Sequence, residues 1–232
     1  MDHIELLNYK NDLIAVFLVA VLLIGYHIHL RTVSRRDSFA VLSNAATLAR
    51  NAWVQTVMAN HADAILAIQT LRNSTMAASF LASTAILLMV GALTLTGQAQ
   101  SLQATWHFLN IFGTLAPELW LSKLLAILLL LFYAFFSFTN SIRINNHVGY
   151  MLTINQDNGQ ELFSPLMVAS QLNRGSDYFR AGIRAYYYLV PLVFWLFGPM
   201  YMVIATVILV FVILPKIDRT PPPFCDAKQE ID

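Results

Sequence analysis

Charge is scarce in this sequence. Lysine, arginine, aspartate and glutamate make up 12% of the 232 residues, whereas a soluble domain carries about a quarter. Apolar residues account for 57%, and the mean hydropathy is +0.59. A disordered chain has few apolar residues, and coiled coils and fibres show fixed repeats, so these classes are excluded. The composition predicts an integral membrane protein.

Cysteine and the sequence motifs of several enzyme folds are also lacking. The single cysteine, Cys225, can form neither a disulfide within the chain nor a cysteine-based metal site. The chain contains no P-loop, no Gly-x-Ser-x-Gly sequence, no Rossmann fingerprint and no histidine box of the membrane-desaturase kind. Fourteen basic and thirteen acidic residues give a net charge of +1, so nothing indicates nucleic acid as a partner.

Uncharged stretches long enough to cross a membrane occur four times, given that a spanning helix needs about 20 mostly apolar residues. They predict an all-α integral membrane protein with four transmembrane helices and additional interfacial or cytoplasmic helices. No cleavage site follows the first apolar run, which is therefore interpreted as a retained span. A single four-helix membrane domain, 1–215, is expected to precede a flexible, proline-rich tail, 216–232. The spans lie at about 13–30, 75–97, 120–142 and 188–214.

The basic residues of the connections predict the orientation. Nine of the fourteen lie in the connections 31–74 and 140–187, whereas the connection 98–118 has none. Cytoplasmic loops carry an excess of lysine and arginine, so the first and third connections are expected in the cytoplasm. Both termini are then expected outside the cytoplasm.

Helix signals continue into the connections. Apolar periodicity from Ala64 runs unbroken into the second span and predicts one long helix of roughly 30 residues. Ser164 followed by Pro165 predicts a capped helix start, and Ser176-Asp177 predicts the start of another helix. The segment 98–117 has apolar residues on one helical face, which is typical of an interfacial helix.

The spans contain few polar groups. No acidic or basic residue lies in the middle of a span, which argues against a pump that moves protons through carboxylates. Lys123, near the outer end of the third span, is expected to snorkel. Pro199 lacks the N–H that would bond the carbonyl of Trp195, so Gly198-Pro199 predicts a kink. The kink either only bends the helix or acts as a hinge that exposes a backbone carbonyl. Pro215 is expected to end the fourth span.

Small residues form two pairs in the second span, each with a spacing of four. Ala78 with Ala82, and Ser79 with Ser83, would let a neighbouring helix approach closely. This candidate helix-contact face could serve packing within the chain, a subunit contact or the lining of a pore. The spacing alone does not distinguish between these three roles.

The histidines predict no metal or haem site. His27 and His29 point to different sides of one helix, whereas a bis-histidine haem needs facing histidines on two spans. A catalytic zinc ion needs three ligands at a working spacing, which the other histidines do not provide. No catalytic, cofactor-binding or metal-binding residue is predicted, and phospholipid is the expected bound molecule.

Polar and basic residues collect where three spans meet the predicted cytoplasmic face. Arginine and asparagine side chains near one plane could bind anions or phospholipid headgroups. They could equally hold the cytoplasmic helices together. The candidate residues are Arg72, Asn73, Asn140, Arg143, Asn146, His147, Arg174, Arg180 and Arg184.

Three segments around these residues resemble the domain-of-unknown-function 599 family, four-span membrane proteins of plants and proteobacteria. They are 69–79, 140–150 and 174–188, the last leading to Phe197-Gly198-Pro199. The resemblance covers about residues 30–215. It implies a multi-pass protein of a bacterial inner (plasma) membrane, and it implies no catalytic residue.

Three hypotheses describe the function. The leading one is a non-enzymatic membrane protein that assembles into an oligomer with a channel-like path and a basic cytoplasmic mouth. Its basis is that four uncharged spans leave too little polar interior for a carrier within one chain. The alternative is an accessory or scaffold subunit of a larger membrane enzyme complex, which would contact its partner through 98–117 and Pro221–Pro223. The third is a membrane enzyme acting on lipid headgroups through His147 or His61. The expected partners are membrane lipids and a homo-oligomer or heteromeric membrane complex, without nucleic acid.

Overall fold

Helices account for almost all of the structure, a computed structural model that describes residues 3–36, 42–60, 64–97, 117–154 and 163–218. No strand occurs within these ranges. In chain order the elements are α1 His3–Arg36, α2 Leu42–Ala59, α3 Ala64–Gly97, α4 Pro117–Thr153, α5 Pro165–Phe197, α6 Pro199–Ile208, a π-helical turn Leu209–Ile213 and α7 Leu214–Asp218. The predicted interfacial helix in 98–117, except for Pro117, lies outside the described residues, as do His61 and the tail from residue 219.

Within the described ranges, four helical stretches are long and apolar enough to cross a membrane. They are Lys10–Ser34, Ala64–Gly97, Glu118–Thr153 and Pro199–Asp218. They confirm the predicted all-α membrane protein with four spanning helices, to which α2 and most of α5 add further helices. The fourth stretch begins later than the predicted residue 188, because the helix is interrupted at Gly198.

The helix signals in the connections were partly right. The long helix predicted from Ala64 is α3, which has 34 residues. The Ser164 cap is also confirmed, since the Met167 N–H donates to Ser164 Oγ over 3.3 Å. The second start predicted at Ser176-Asp177 is wrong, because α5 runs through it. Residues 168, 172, 175, 182 and 185 stay buried at helical spacing across this point, and burial of one continuous face outweighs a local cap signal.

The prediction that Pro215 ends the fourth span is also wrong. The chain continues through Pro215 to Asp218 as α7. A π-helical turn comes directly before it, in which the Leu214 N–H bonds the carbonyl of Leu209. The wider turn shifts the pairing of backbone groups by one residue, and such bulges are a known way to fit an irregularity into a helix. The missing N–H of a proline is therefore tolerated here.

The described residues of 1–44, 88–131 and 186–232 form one compact unit, called unit 1. Within it α1 packs against α6 and the π-helical turn. Leu209, Val210 and Leu214 are buried, and the Tyr26 hydroxyl donates to Asp218 Oδ2 over 2.8 Å. Apolar packing and this polar contact together tie the first helix to the end of the last.

The described residues of 45–87 and 132–185 form the other compact unit, called unit 2. It contains most of α2, the first part of α3, and the parts of α4 and α5 on either side of their connection. Its core consists of Val54, Val57, Ala67, Leu71, Ile144, Val148, Leu152, Val168, Ala169 and Leu172.

Two glycines allow α5 to lie close to α4 within unit 2. A Cβ on Gly182 would come within 2.6 Å of the ring of Phe138, a side chain with no exposed surface. A Cβ on Gly175 would lie 2.7 Å from Asn145 Oδ1. Real Cβ atoms do not approach other atoms this closely, so a side chain at either position would force a neighbour to shift.

Candidate functional site

A half-open cavity of about 790 Å³ lies within unit 2. Every helical segment of the unit contributes to its wall. The apolar part of the lining is Ala49, Trp53, Leu71, Ala77, Leu172 and Phe179. The polar part is Arg50, Thr70, Asn73, Ser74, Ser141, Asn145 and Ser176. A large apolar wall with a few convergent polar groups is the usual composition of a ligand site.

Two polar side chains of the cavity are buried and lack a partner. Ser141 is 0% exposed and Asn145 6% exposed, and neither Ser141 Oγ nor Asn145 Oδ1 has a hydrogen-bond partner among the described residues. The two residues are four apart on α4 and therefore lie on the same face of that helix. A buried polar atom without a partner costs about 1–3 kcal/mol, and most buried polar atoms are bonded. Both atoms therefore mark a place where a ligand could bond.

Arg50 supplies the positive charge of the cavity wall. Its Nε donates to Asn173 Oδ1 over 2.7 Å, and its Nη2 donates to Thr47 Oγ1 over 3.1 Å. Asn173 is itself held, because its Nδ2 donates to Asn51 Oδ1 over 2.7 Å. These bonds orient the guanidinium group, and its other N–H groups have no partner in the part of the chain that the structure describes.

The charge on Arg50 is poorly compensated. Burial lowers the pKa of Arg50 from its ordinary value, the charge of Arg180 lowers this pKa further, and Asp177 opposes the change. The side chain stays ionised, because arginine is not deprotonated in proteins. Arg50 forms no ion pair with any described residue. A partly desolvated cation that forms no ion pair with the described residues favours the binding of an anion.

A smaller groove of about 250 Å³ lies between α3 and α4. Arg72, Asn145 and Asn146 line it, together with Tyr150 and the backbone at Gly149. Arg72 and Asn146 are exposed. This groove is an open polar surface rather than an enclosed site.

Three of the nine predicted anion-site residues line the large cavity or the small groove. Asn73 lines the large cavity, and Arg72 and Asn146 line the small groove. Arg180 instead pairs with Asp177, and the Cζ of Arg174 lies 6.0 Å from the centre of the Tyr178 ring.

The remaining predicted residues lie elsewhere in unit 2. Asn140 donates to the carbonyl of Phe136 within its own helix. Arg143 and His147 are exposed, Arg184 is half-buried, and none of the four lines either cavity. The position of His147 gives no support to a role as a catalytic acid or base.

Sequence reasoning missed Arg50, Ser141 and Asn145 as site residues, although a signal for them was present. Ser141 and Asn145 continue the spacing of Phe138 and Val148, which are buried on one face of α4. Arg50 similarly precedes Val54 and Val57 at spacings of four and seven. Polar residues in register with a buried apolar stripe are the ones that face the interior.

The four residues of the candidate helix-contact face divide into two pairs. Ala78 and Ala82 are buried at 0% and 7% exposure, and the buried stripe continues at Ala85. Ser79 and Ser83 are exposed, and the Ser79 hydroxyl donates to the carbonyl of Thr75. Packing inside the chain therefore accounts for the alanine pair.

Gly198 and Pro199 form a complete break in unit 1. α5 ends at Phe197, α6 begins at Pro199, and Gly198 between them has φ 146° and ψ 159°. This φ is one that residues with a side chain rarely adopt. The carbonyl of Trp195, which Pro199 cannot bond, accepts from the Gly198 N–H over 3.2 Å and from Lys123 Nζ over 3.2 Å. A lysine thus takes the place of the missing backbone donor.

Lys123 is buried rather than snorkelling, so that prediction is wrong. It is 2% exposed and pairs with Asp12, also 2% exposed, over 3.1 Å. Trp195 Nε1 donates to the same Asp12 oxygen over 2.6 Å, and the ammonium lies 5.2 Å from the centre of the Trp195 ring. Lys123 remains inside because a carboxylate and a freed carbonyl together replace its hydration.

Among the residues that the structure describes, no group of three or more histidine, cysteine, aspartate or glutamate side chains could hold a metal ion. Comparisons with curated proteins and with solved structures found no match. The sequence profile of a protein family described as "Protein of unknown function, DUF599" matches residues 14–222. This match covers most of the chain and extends beyond the segments that suggested the resemblance. The chain therefore belongs to the DUF599 family.

Proposed function

We propose that this protein is a multi-pass protein of the bacterial inner membrane that binds an anionic amphiphile in the cavity of unit 2. In the proposed orientation both termini lie outside the cytoplasm, because the arginine-rich connections, which belong largely to unit 2, would be retained inside. The cavity then opens on the cytoplasmic side. There a lipid headgroup or another amphiphile from the membrane could enter it.

The observation that carries the proposal is an oriented arginine in a largely apolar cavity. Among the described lining residues there is no aspartate or glutamate to balance Arg50. A phosphate or carboxylate would supply that balance through charge-assisted hydrogen bonds, which are stronger than neutral ones. The apolar wall, with Trp53 and Phe179, would contact the alkyl part of the same molecule.

The test compares binding of anionic and zwitterionic lipids by the purified full-length protein. Native mass spectrometry would count the phosphatidylserine and phosphatidylcholine molecules retained, using lipids with identical acyl chains. We expect Arg50→Gln to weaken phosphatidylserine binding about tenfold or more, as loss of a hydrogen bond to a charged group implies.

The matched control is Arg143→Gln, since Arg143 is exposed and lines neither cavity. It should bind phosphatidylserine as the unchanged protein does. If Arg50→Gln keeps its binding while its helical content is unaltered, the cavity is not the anion site and the proposal fails.

A second proposal is a homo-oligomer with a channel-like path. It is supported by the exposure of the four candidate spans, whose most apolar windows are only 6–33% buried inside the chain. The exposed apolar surface of these spans must be covered either by lipid or by another copy of the chain. Native mass spectrometry from gently extracted membranes should give one multiple of 26.1 kDa, and reconstituted vesicles should then conduct ions. Foreign subunits in the same peak would instead favour the accessory-subunit hypothesis, and vesicles without ion flux would exclude the channel.

A further inference from the structure

The two unpartnered atoms in the cavity define what else the ligand must carry. Asn145 Oδ1 is an acceptor, and Ser141 Oγ can accept as well as donate. Both side chains are more than nine-tenths buried, both line the cavity, and neither atom has a partner among the described residues. An anionic oxygen alone cannot satisfy Asn145 Oδ1, because two acceptors repel. The ligand therefore needs a hydrogen-bond donor in addition to its anionic group.

An amphiphile can carry two common kinds of hydrogen-bond donor, an ammonium group or a hydroxyl group. The residues that line the cavity favour the hydroxyl group. An ammonium group would need a carboxylate for compensation, and none occurs among the described lining residues. It would also lie in the field of Arg50. The polar lining consists instead of hydroxyl and amide groups, such as Thr70, Asn73, Ser74 and Ser176. These groups donate to and accept from neutral hydroxyls without a charge penalty.

We propose that the cavity recognises a phosphate ester of a polyol, with a glycerol or similar headgroup attached to an alkyl tail. The inference rests on the proposed function, because Arg50 must first bind the phosphate. The hydroxyl groups then bond Asn145 Oδ1 and Ser141 Oγ. The same chemistry occurs in a polyol phospholipid and in a soluble polyol phosphate.

Gly175 supports the assignment of Asn145 to the site. Its lack of a side chain leaves room for Asn145 Oδ1, which would lie 2.7 Å from a Cβ at that position. The amide is therefore held in a narrow space beside the α5 backbone. Asn145 therefore lies beside the α5 backbone and is at the same time part of the cavity wall.

The experiment measures competition between two lipids of equal charge. Phosphatidylglycerol carries two hydroxyls, and phosphatidylserine carries an ammonium and a carboxylate. The full-length protein would be placed in nanodiscs containing both with identical acyl chains, and the lipids that it retains would be counted by native mass spectrometry. We expect phosphatidylglycerol to be preferred about tenfold, the effect of one or two additional hydrogen bonds.

Variants of Asn145 and Ser141 test whether these two side chains cause the preference for phosphatidylglycerol. Asn145→Leu and Ser141→Ala should each bring the ratio towards one while total anionic lipid remains bound. Ser79→Ala is the matched control, since Ser79 is exposed and outside the cavity, and it should keep the ratio. If Asn145→Leu fails to fold, the lipid ratios of Ser141→Ala and of the unchanged protein still test the polyol assignment.

The outcomes separate the two proposals. Equal retention of both lipids by the unchanged protein, or a ratio unaffected by both variants, would overturn the polyol assignment and leave the anion site standing. Unchanged binding in Arg50→Gln would overturn the anion site itself. Displacement of phosphatidylglycerol by glycerol 3-phosphate at equal concentration would support a soluble polyol phosphate. Failure of that displacement, with the preference intact, would support the lipid.

Discussion

At the scale of single residues, the register of a side chain on its helix matters more than its chemical type. Asn145 and Asn146 are neighbours in sequence, yet Asn145 is buried in the cavity and Asn146 is exposed. The difference is one step of about 100° around α4, which places Asn145 in line with Phe138 and Val148. Arginine shows the same effect, since Arg50 is oriented by Asn173 whereas Arg143 lies at the surface.

The residue with the sharpest expected effect on stability is Gly182. Gly182→Ala would push a Cβ to within 2.6 Å of the Phe138 ring, which is fully buried and also packs edge-on against Phe179. Since the buried ring would have to shift against the side chains around it, we expect a loss of about 1–3 kcal/mol in the free energy of unfolding. Denaturation of the purified protein in detergent would measure the loss.

Gly91→Ala provides the matched control for that change. It lies in the interior of α3, and a Cβ there would have no atom within 4 Å. Its stability should be unchanged or slightly higher, because alanine favours a helix more than glycine does. If both variants have the same stability, then α5 does not pack on α4 through Gly182.

At the scale of elements, the break between α5 and α6 depends on a helix that is distant in sequence. Pro199 removes a backbone donor, and Lys123 on α4 donates to the affected carbonyl together with the Gly198 N–H. The ammonium can be buried there only because Asp12 on α1 supplies the opposite charge. The break is therefore a meeting point of three helices of unit 1, and each contributes one part of its hydrogen bonding.

Removal of the lysine should consequently destabilise the fold. Lys123→Met leaves the Asp12 carboxylate buried without its ion-pair partner, a change that typically costs about 3–5 kcal/mol. The double variant Asp12→Asn with Lys123→Met should lose clearly less, because no unpaired charge then remains. Denaturant unfolding of the single and double variants would measure the coupling between the two residues.

The exposed Lys216 is the matched control for Lys123. Lys216→Met should change stability by no more than about 0.5 kcal/mol, as is usual for a surface substitution. Purely additive effects of the Asp12 and Lys123 substitutions would show that the buried pair does not act as a unit.

At the scale of the whole molecule, the distribution of basic residues predicts the orientation of the chain. Nine of fourteen basic residues lie in two connections, and these belong largely to the segments that form unit 2. Because the positive-inside rule retains such connections in the cytoplasm, the cavity and Arg50 would face the cytoplasm.

The single cysteine makes this orientation directly testable. In intact spheroplasts, a membrane-impermeant maleimide should label Cys225 from outside. The Asn146→Cys variant in a Cys225→Ser background should be labelled only after permeabilisation, since Asn146 is exposed within the third connection. The reverse labelling pattern would invert the orientation and place the cavity outside the cytoplasm.

The sequence by itself determined the membrane class, the four spanning helices and the interruption at Gly198-Pro199. These follow from local properties, namely the length of uncharged stretches and the missing N–H of proline. Only the tertiary structure decided that Lys123 is buried, that α5 passes through Ser176 and that the fourth helix continues beyond Pro215. It also decided that Arg50, Ser141 and Asn145 share one cavity. The physical reason is that each outcome depends on a partner from another helix or on burial of a continuous face, and such partners are brought together only when the helices pack.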